Sequence, residues 1–136
     1  MTENTAPCWE IRGLSLPLDL EDADTMERYE DAFAAMSGEE RKIQKDGRQS
    51  ERIRAYCMLY RSLFARIFGE GTAEKLFADV PMSAAAHEEI YLSFLDFARA
   101  QTKAAMERRA ARLQKYKPAS ITKSTAKSAA KSVKKK

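Results

Sequence analysis

The stretch WEIRGLSLPLDL, Trp9 to Leu20, decides how the chain begins to fold, because its apolar residues change parity halfway along. Trp9 and Ile11 stand at odd positions. The four leucines that follow stand at even positions: Leu14, Leu16, Leu18 and Leu20. Successive side chains of a strand point to opposite faces, so one continuous strand would separate the two sets. The sequence therefore predicts a turn between them.

A two-residue loop at Arg12 and Gly13 removes this conflict and puts the apolar side chains on one face of a β-hairpin. The expected pairs are Ile11 with Leu14 and Trp9 with Leu16. Gly13 supplies the positive φ that such a loop needs, whereas Arg12 is a poorer first loop residue than Asn or Asp. Because an isolated hairpin is only marginally stable, we expect its apolar face to lie on the helices that follow.

The segment after the hairpin predicts a first helix. Its apolar side chains recur at steps of three and four residues: Met26, Tyr29, Phe33 and Met36. Asp22 or Asp24 is the expected N-cap, and Glu27 follows Asp24 at the spacing of a capping box. We expect this helix to continue to about Lys45 and to break by Gly47.

A second helix is predicted from about Gln49 and is expected to supply most of the core. Its broad apolar stripe consists of Ile53, Tyr56, Cys57, Tyr60, Leu63, Phe64, Ile67 and Phe68, with Arg52, Arg61 and Arg66 off the stripe. The stripe could also be offered to a partner protein, although core packing is the preferred interpretation. Gly69 is expected to stop the helix as a left-handed cap.

Two further helices are predicted after Gly69. Thr72 is expected to cap a short helix that Pro81 ends, and Ser83 to cap a long final helix. The apolar side of the final helix comprises Ile90, Tyr91, Phe94, Leu95, Phe97 and Ala98. From Lys103 this helix has little apolar material, so we expect it to project from the domain.

These elements predict an α+β protein that is mainly α: an N-terminal hairpin packed on three to four helices, with a long C-terminal helix. The expected domains are a flexible N-terminus at residues 1–8, a folded domain at residues 9–116 and a disordered basic tail at residues 117–136. The tail is rich in Ser, Ala and Lys and cannot bury enough apolar surface to fold alone.

The net charge of +4 conceals a separation of charge along the chain. Residues 1–102 hold 12 Lys or Arg against 19 Asp or Glu, whereas residues 103–136 hold 12 against Glu107 alone. The basic end is expected to contact an anionic partner, to act as a solubilising arm, or to fold back on the acidic domain. The candidate contacts are Arg108, Arg109, Arg112, Lys115, Lys117, Lys123, Lys127, Lys131, Lys134, Lys135 and Lys136.

Little in the sequence predicts catalysis, a cofactor or a metal site. His87 is the only histidine, and we expect it to be an ordinary exposed or capping residue. Cys57 lies within an apolar stripe, where burial would leave its thiol inert. The carboxylates at Asp19, Glu21, Asp22 and Asp24 are interpreted as helix caps, and residues 69–75 as a stop and restart between helices.

The compartment is expected to be the cytoplasm. No apolar run approaches the roughly 20 residues of a membrane span, and the N-terminus has no signal pattern. Two lone cysteines, Cys8 and Cys57, fit a reducing compartment.

Three segments, IRGLSLPLDL at 11–20, DADTMERYE at 22–30 and FGEGTAEKLF at 68–77, resemble a family of small uncharacterised proteins of tailed bacteriophages and prophages. The resemblance covers about residues 9 to 100. It implies a non-enzymatic role like that of a tail-assembly chaperone, in which the partner is the tape-measure or tail-tube protein. The alternative from the residues themselves is a nucleic-acid-binding accessory protein that uses the basic C-terminal helix and tail through non-specific phosphate contacts.

Overall fold

The computed structural model describes residues 6–116, and these form a β-hairpin and four helices. The elements are β1 (Cys8–Ile11), β2 (Leu14–Pro17), α1 (Ala23–Arg41), α2 (Gln49–Phe68), α3 (Glu70–Leu76) and α4 (Ala84–Tyr116). The prediction of a mainly α, α+β protein is confirmed. The predicted basic tail at residues 117–136 and most of the predicted N-terminal segment lie outside the described residues. The chain divides after Thr102 into two compact units, which we call unit 1 (residues 1–102) and unit 2 (residues 103–136).

The hairpin has the predicted register, with Ile11 opposite Leu14 and Trp9 opposite Leu16. Both loop residues have positive φ, 51° at Arg12 and 81° at Gly13, as a two-residue loop of the twisted hairpin type requires. An arginine is costly at such a position. Here its Nη2 donates to the carbonyl oxygen of Ala78 at 2.7 Å, a contact that ties the loop to the chain beyond α3.

Trp9 is the centre of the hairpin's apolar face and is only 2% exposed. Its ring stacks on Phe64 with 5.5 Å between centroids and meets Phe94 edge-on at 5.2 Å. Its Nε1 donates to Ser93 Oγ at 3.1 Å, which satisfies the one polar group of the indole. The hairpin therefore joins α2 to α4 through a single side chain.

The segment between β2 and α1 is held by a buried side chain of α4. Gln101 Nε2 donates to the carbonyl oxygen of Leu18 at 2.9 Å, and its Oε1 accepts from the backbone N–H of Leu20 at 2.7 Å. Leu18 and Leu20 are themselves buried. The N–H of Leu18 donates to the carbonyl oxygen of Pro7 at 2.8 Å, and the Gln101 amide satisfies two backbone groups that follow it.

Helix α1 begins as predicted but ends earlier. Asp22 is the N-cap, and its carboxylate accepts from the backbone N–H of Thr25 at 2.9 Å, so the alternative of a capping box from Asp24 is wrong. The helix ends at Arg41 rather than near Lys45. The next two backbone N–H groups donate to carbonyls only three residues back, which tightens the chain and stops the helix.

Helix α2 begins at Gln49 as predicted and ends at Phe68, and the residue that follows it, Gly69, has a φ of 100°, which suits glycine. Its ψ of 153° lies outside the left-handed helical region, so the expected left-handed cap is wrong in detail. Gly69 also starts α3, because its carbonyl accepts from the N–H of Ala73 at 3.0 Å. The predicted start at Thr72 is therefore wrong. Ser83 caps α4 as predicted, with its Oγ accepting from the N–H of Ala86 at 3.2 Å.

The apolar stripe of α2 is largely used by the core of unit 1. Its buried members are Cys57, Leu63, Phe64 and Ile67, and Leu59, which the stripe did not include, is buried as well. The buried face is wider than the predicted one because α2 packs against both α1 and α3. The preferred interpretation of this stripe as core is confirmed.

Replacing Trp9 with Ala should lower the free energy of unfolding by about 3–5 kcal/mol, because it removes a buried aromatic ring and leaves a cavity between α2 and α4. Chemical denaturation followed by circular dichroism measures this loss. The control is Leu92→Ala, since Leu92 is 56% exposed and its truncation should cost about 0.5 kcal/mol or less. Equal losses in the two variants would show that Trp9 does not anchor the hairpin.

Candidate functional site

The candidate site is the described part of unit 2, residues 103–116, which we call the basic segment. It belongs to α4, which is helical to Tyr116. Every residue from Met106 to Tyr116 is exposed. Among the described residues, large exposed apolar side chains are few, and three of them lie here: Met106 is 61% exposed, Leu113 49% and Tyr116 83%. The segment therefore presents apolar surface to the outside.

The basic segment has two distinct faces. Met106, Ala110 and Leu113 recur at steps of four and three residues, which places them on one side of a helix. Positions 108, 112 and 115 recur in the same way, at about 200° around the helix from the first set. The helix thus carries an apolar stripe on one side and a cationic row on the other.

Four of the predicted contact residues lie in this exposed helix, and three of them share a face. Arg108, Arg112 and Lys115 form the cationic row, whereas Arg109 lies closer to the apolar stripe. The remaining predicted contacts lie outside the described residues: Lys117, Lys123, Lys127, Lys131, Lys134, Lys135 and Lys136. Within the basic segment five cations oppose Glu107, so the segment has a net charge of +4.

His87 does not have the exposed position that we expected from the sequence. It is 0% exposed, and its ring stacks on Phe77 with 5.1 Å between centroids. Arg61 Nε donates to His87 Nε2 at 2.9 Å, so Nε2 must be unprotonated. The ring proton is then on Nδ1 and is donated to the carbonyl oxygen of Ser83, which is 2.9 Å away. This network links α2 to the start of α4.

The environment of His87 favours the neutral ring. Burial lowers its pKa, and the neighbouring Arg61 cation adds to this lowering, while the hydrogen bond to Ser83 opposes it. Arg61 also donates from Nη2 to the carbonyl oxygen of Val80 at 3.2 Å and lies over the Phe77 ring. This arrangement could not be predicted from the sequence, because Arg61 lies off the apolar stripe of α2 and 26 residues from His87.

Two other sequence features have structural roles. Asp22 caps α1, and hydrogen bonds from the backbone N–H and hydroxyl of Thr25 lower the pKa of its carboxyl group. Cys57 is fully buried, and burial raises the pKa of its thiol. Within residues 6–116, no group of three or more His, Cys, Asp or Glu is arranged to hold a metal ion.

A family model matches residues 12–134, which is most of the chain. The chain belongs to this family, DUF6673, a family of unknown function. The match includes residues beyond 100, so the family pattern extends through the basic segment. No curated protein and no solved structure matches the chain. In the part of the chain that the structure describes, no helix has the length and apolar character needed to cross a membrane.

His87 should make the stability of unit 1 depend on pH. Its pKa is lower in the folded chain than in the unfolded chain, so the unfolded chain takes up more protons as the pH falls below the ordinary histidine value. The stabilisation is therefore complete above about pH 6.5, and it declines by at most about 1.4 kcal/mol per pH unit as the pH falls towards the lowered folded-state value.

Chemical denaturation between about pH 7.5 and 5.5 measures this dependence, because acidic side chains titrate at lower pH. The comparison variant is His87→Gln, whose amide oxygen can still accept from Arg61 but does not titrate. We expect the variant to be less stable at neutral pH and to lose less stability on acidification. Parallel pH profiles for the two proteins would contradict the assigned network.

Proposed function

We propose that this protein is a non-enzymatic binding protein that holds a structural protein of a tailed phage during assembly, in the manner of a tail-assembly chaperone in the host cytoplasm. The phage setting is supported by the resemblance of residues 11–30 and 68–77. The observation that carries the binding role is the exposed basic segment, with its apolar stripe and cationic row on opposite sides of one helix.

Unit 1 contributes the scaffold rather than the binding surface in this proposal. The apolar stripe of α2 is buried in the core, where Leu63 and Phe64 are 0% exposed. The side chains most suited to chemistry also have structural roles, because His87 is fixed by Arg61 and Cys57 is buried. Both observations favour a protein that binds a partner without transforming it.

The basic segment fits a partner helix that is amphipathic and acidic. Met106 and Leu113 can pack against an apolar seam, while flanking cations meet carboxylates at its edges, as in other helix pairs. A tape-measure protein, which is long and helical, offers such seams along its length. The charge of the segment then selects acidic stretches of the partner and speeds their encounter.

The second candidate function is non-specific binding of nucleic acid, and the cationic row favours it. Arg108, Arg112 and Lys115 occupy one exposed face and can approach successive phosphates. Such binding is sequence-independent and falls steeply as the salt concentration rises. It uses the cationic row, whereas partner binding uses the apolar stripe, so substitutions separate the two functions.

Co-expression with the tape-measure protein of the same genome tests the proposal. We expect the partner to become soluble and to co-purify with the wild-type chain. The double substitution Met106→Glu and Leu113→Glu should abolish both effects, because it places charge in the apolar stripe. Leu92→Glu is the matched control, since Leu92 is an exposed leucine of the same helix within unit 1, and it should leave both effects intact.

Two outcomes would contradict the proposed function. The first is that the wild-type chain does not change the solubility of the tape-measure protein. The second is that the double variant solubilises it and co-purifies with it as well as the wild-type chain does. Duplex DNA binding would then be measured across a salt series. Strong binding that is lost in the triple substitution Arg108→Gln, Arg112→Gln and Lys115→Gln, but kept in the apolar variant, would support the second candidate.

A further inference from the structure

A groove on the outer surface of unit 1 lies between α2 and α3. Its volume is about 350 Å³. Met58 and Ala65 of α2 line it on one side, and Ala73 of α3 and Phe77, the residue after α3, line it on the other. Its floor is therefore apolar and partly made of small side chains. Met58 is 50% exposed, which is unusual for an apolar side chain of this otherwise well-buried helix. Part of the groove is therefore apolar surface that the core does not cover.

The groove has the length of two helical turns. Met58 to Ala65 and Glu70 to Phe77 each span seven residues, or about 10 Å along a helix. A third helix can lie between two such rows with its own apolar residues seven positions apart. Met106 and Leu113 of the basic segment have that spacing.

The rim of the groove is acidic along α3. Glu70 and Glu74 line it one turn apart, and both are exposed. Neither carboxylate forms an ion pair with another residue of the described range 6–116. The groove also contains the Arg61 cation, whose guanidinium is held by hydrogen bonds to His87 and Val80 and not by either carboxylate. The rim therefore favours an occupant that brings cations beside an apolar stripe.

We propose that this groove binds the basic segment of a second copy of the chain, with Met106 and Leu113 on the apolar floor and Lys103, which flanks the apolar stripe, beside the acidic rim. Arg112 adds to the positive charge of the segment from its opposite side. Both surfaces are exposed in the single chain, and their charges are opposite. Residues 1–102 have a net charge of −7 from 12 cations and 19 anions, and residues 103–136 have a net charge of +11 from 12 cations and one anion. Long-range attraction thus brings basic segment and unit 1 of different copies together.

Another acidic depression on unit 1 is less suited to this occupant. It lies along α1 and is lined by Asp24, Glu27 and Asp31, but Arg28 and Arg66 line it as well. Arg66 is already paired with Glu39, but Arg28 still opposes a basic helix. None of the residues that line the depression is a large exposed apolar side chain. The groove between α2 and α3 offers apolar contact beside its two carboxylates.

Self-association goes beyond the proposed function and does not depend on it. It is measured on the purified full-length chain, without any phage partner or nucleic acid. A chain that self-associates but does not solubilise the tape-measure protein would support this inference and contradict the proposed function. A chain that solubilises the tape-measure protein but does not self-associate would contradict this inference and support the proposed function.

Sedimentation velocity over a wide range of protein concentrations tests the proposal through a charge exchange. We expect the average mass of the sedimenting wild-type species to rise with protein concentration at low salt. In high salt this rise should disappear. The groove variant Glu70→Lys with Glu74→Lys, and the segment variant Lys103→Glu with Arg112→Glu, should each weaken self-association by about tenfold or more. An equimolar mixture of the two variants should associate again, because the reversed charges are complementary.

The matched control is Glu27→Lys with Asp31→Lys, which makes the same change in charge at the same spacing on α1. It should leave self-association within a few-fold of the wild type. Three results would overturn the proposal: a wild-type chain of single mass at every concentration, a control that weakens association as much as the groove variant, or a mixture that fails to associate. The mixture also guards against misfolding, since restored association requires both variants to be folded.

Discussion

The fold of unit 1 depends on the contact between Trp9 and the rings of α2 and α4. A two-stranded hairpin has too little buried surface to be stable alone, and Trp9 gives it an anchor between Phe64 and Phe94. This contact also determines which apolar surface of the helices remains exposed. Once α2 has received the hairpin on one side and packs against α1 and α3, its apolar stripe is buried, and the apolar surface that α2 leaves exposed lies off that stripe, at Met58.

The parts of the fold that the sequence predicted correctly depend on residues close together in the chain. The loop at Arg12 and Gly13 determines the hairpin register, and the caps at Asp22 and Ser83 depend on groups three residues away. The errors at the C-terminal end of α1 and at the start of α3 come from backbone hydrogen bonds that no side-chain pattern marks. The periodicity of apolar residues predicts the body of a helix more reliably than the position of its last backbone hydrogen bond.

The contacts that the sequence did not predict join residues far apart in the chain. Arg61 and His87 are 26 residues apart, and Gln101 holds the backbone of Leu18 across 83. Arg61, His87 and Gln101 each resemble an ordinary surface residue in the sequence, so neither pairing could be deduced from one sequence. The basic segment is different, because its exposure follows from a simple shortage of apolar residues after Thr102. The exposure of its four described candidate cations was therefore predictable, whereas the groove between α2 and α3 was not.

Hydrogen exchange measured by mass spectrometry tests most directly whether the basic segment is open to other molecules while the core of unit 1 is closed. In dilute solution, the amides of residues 106–116 should exchange about a hundredfold or more faster than those of residues 90–98, because a helix without packing opens locally. Such a difference would support an exposed basic segment and a closed core in unit 1. Equal, slow exchange along the whole of α4 would contradict the account, since the segment would then already be covered.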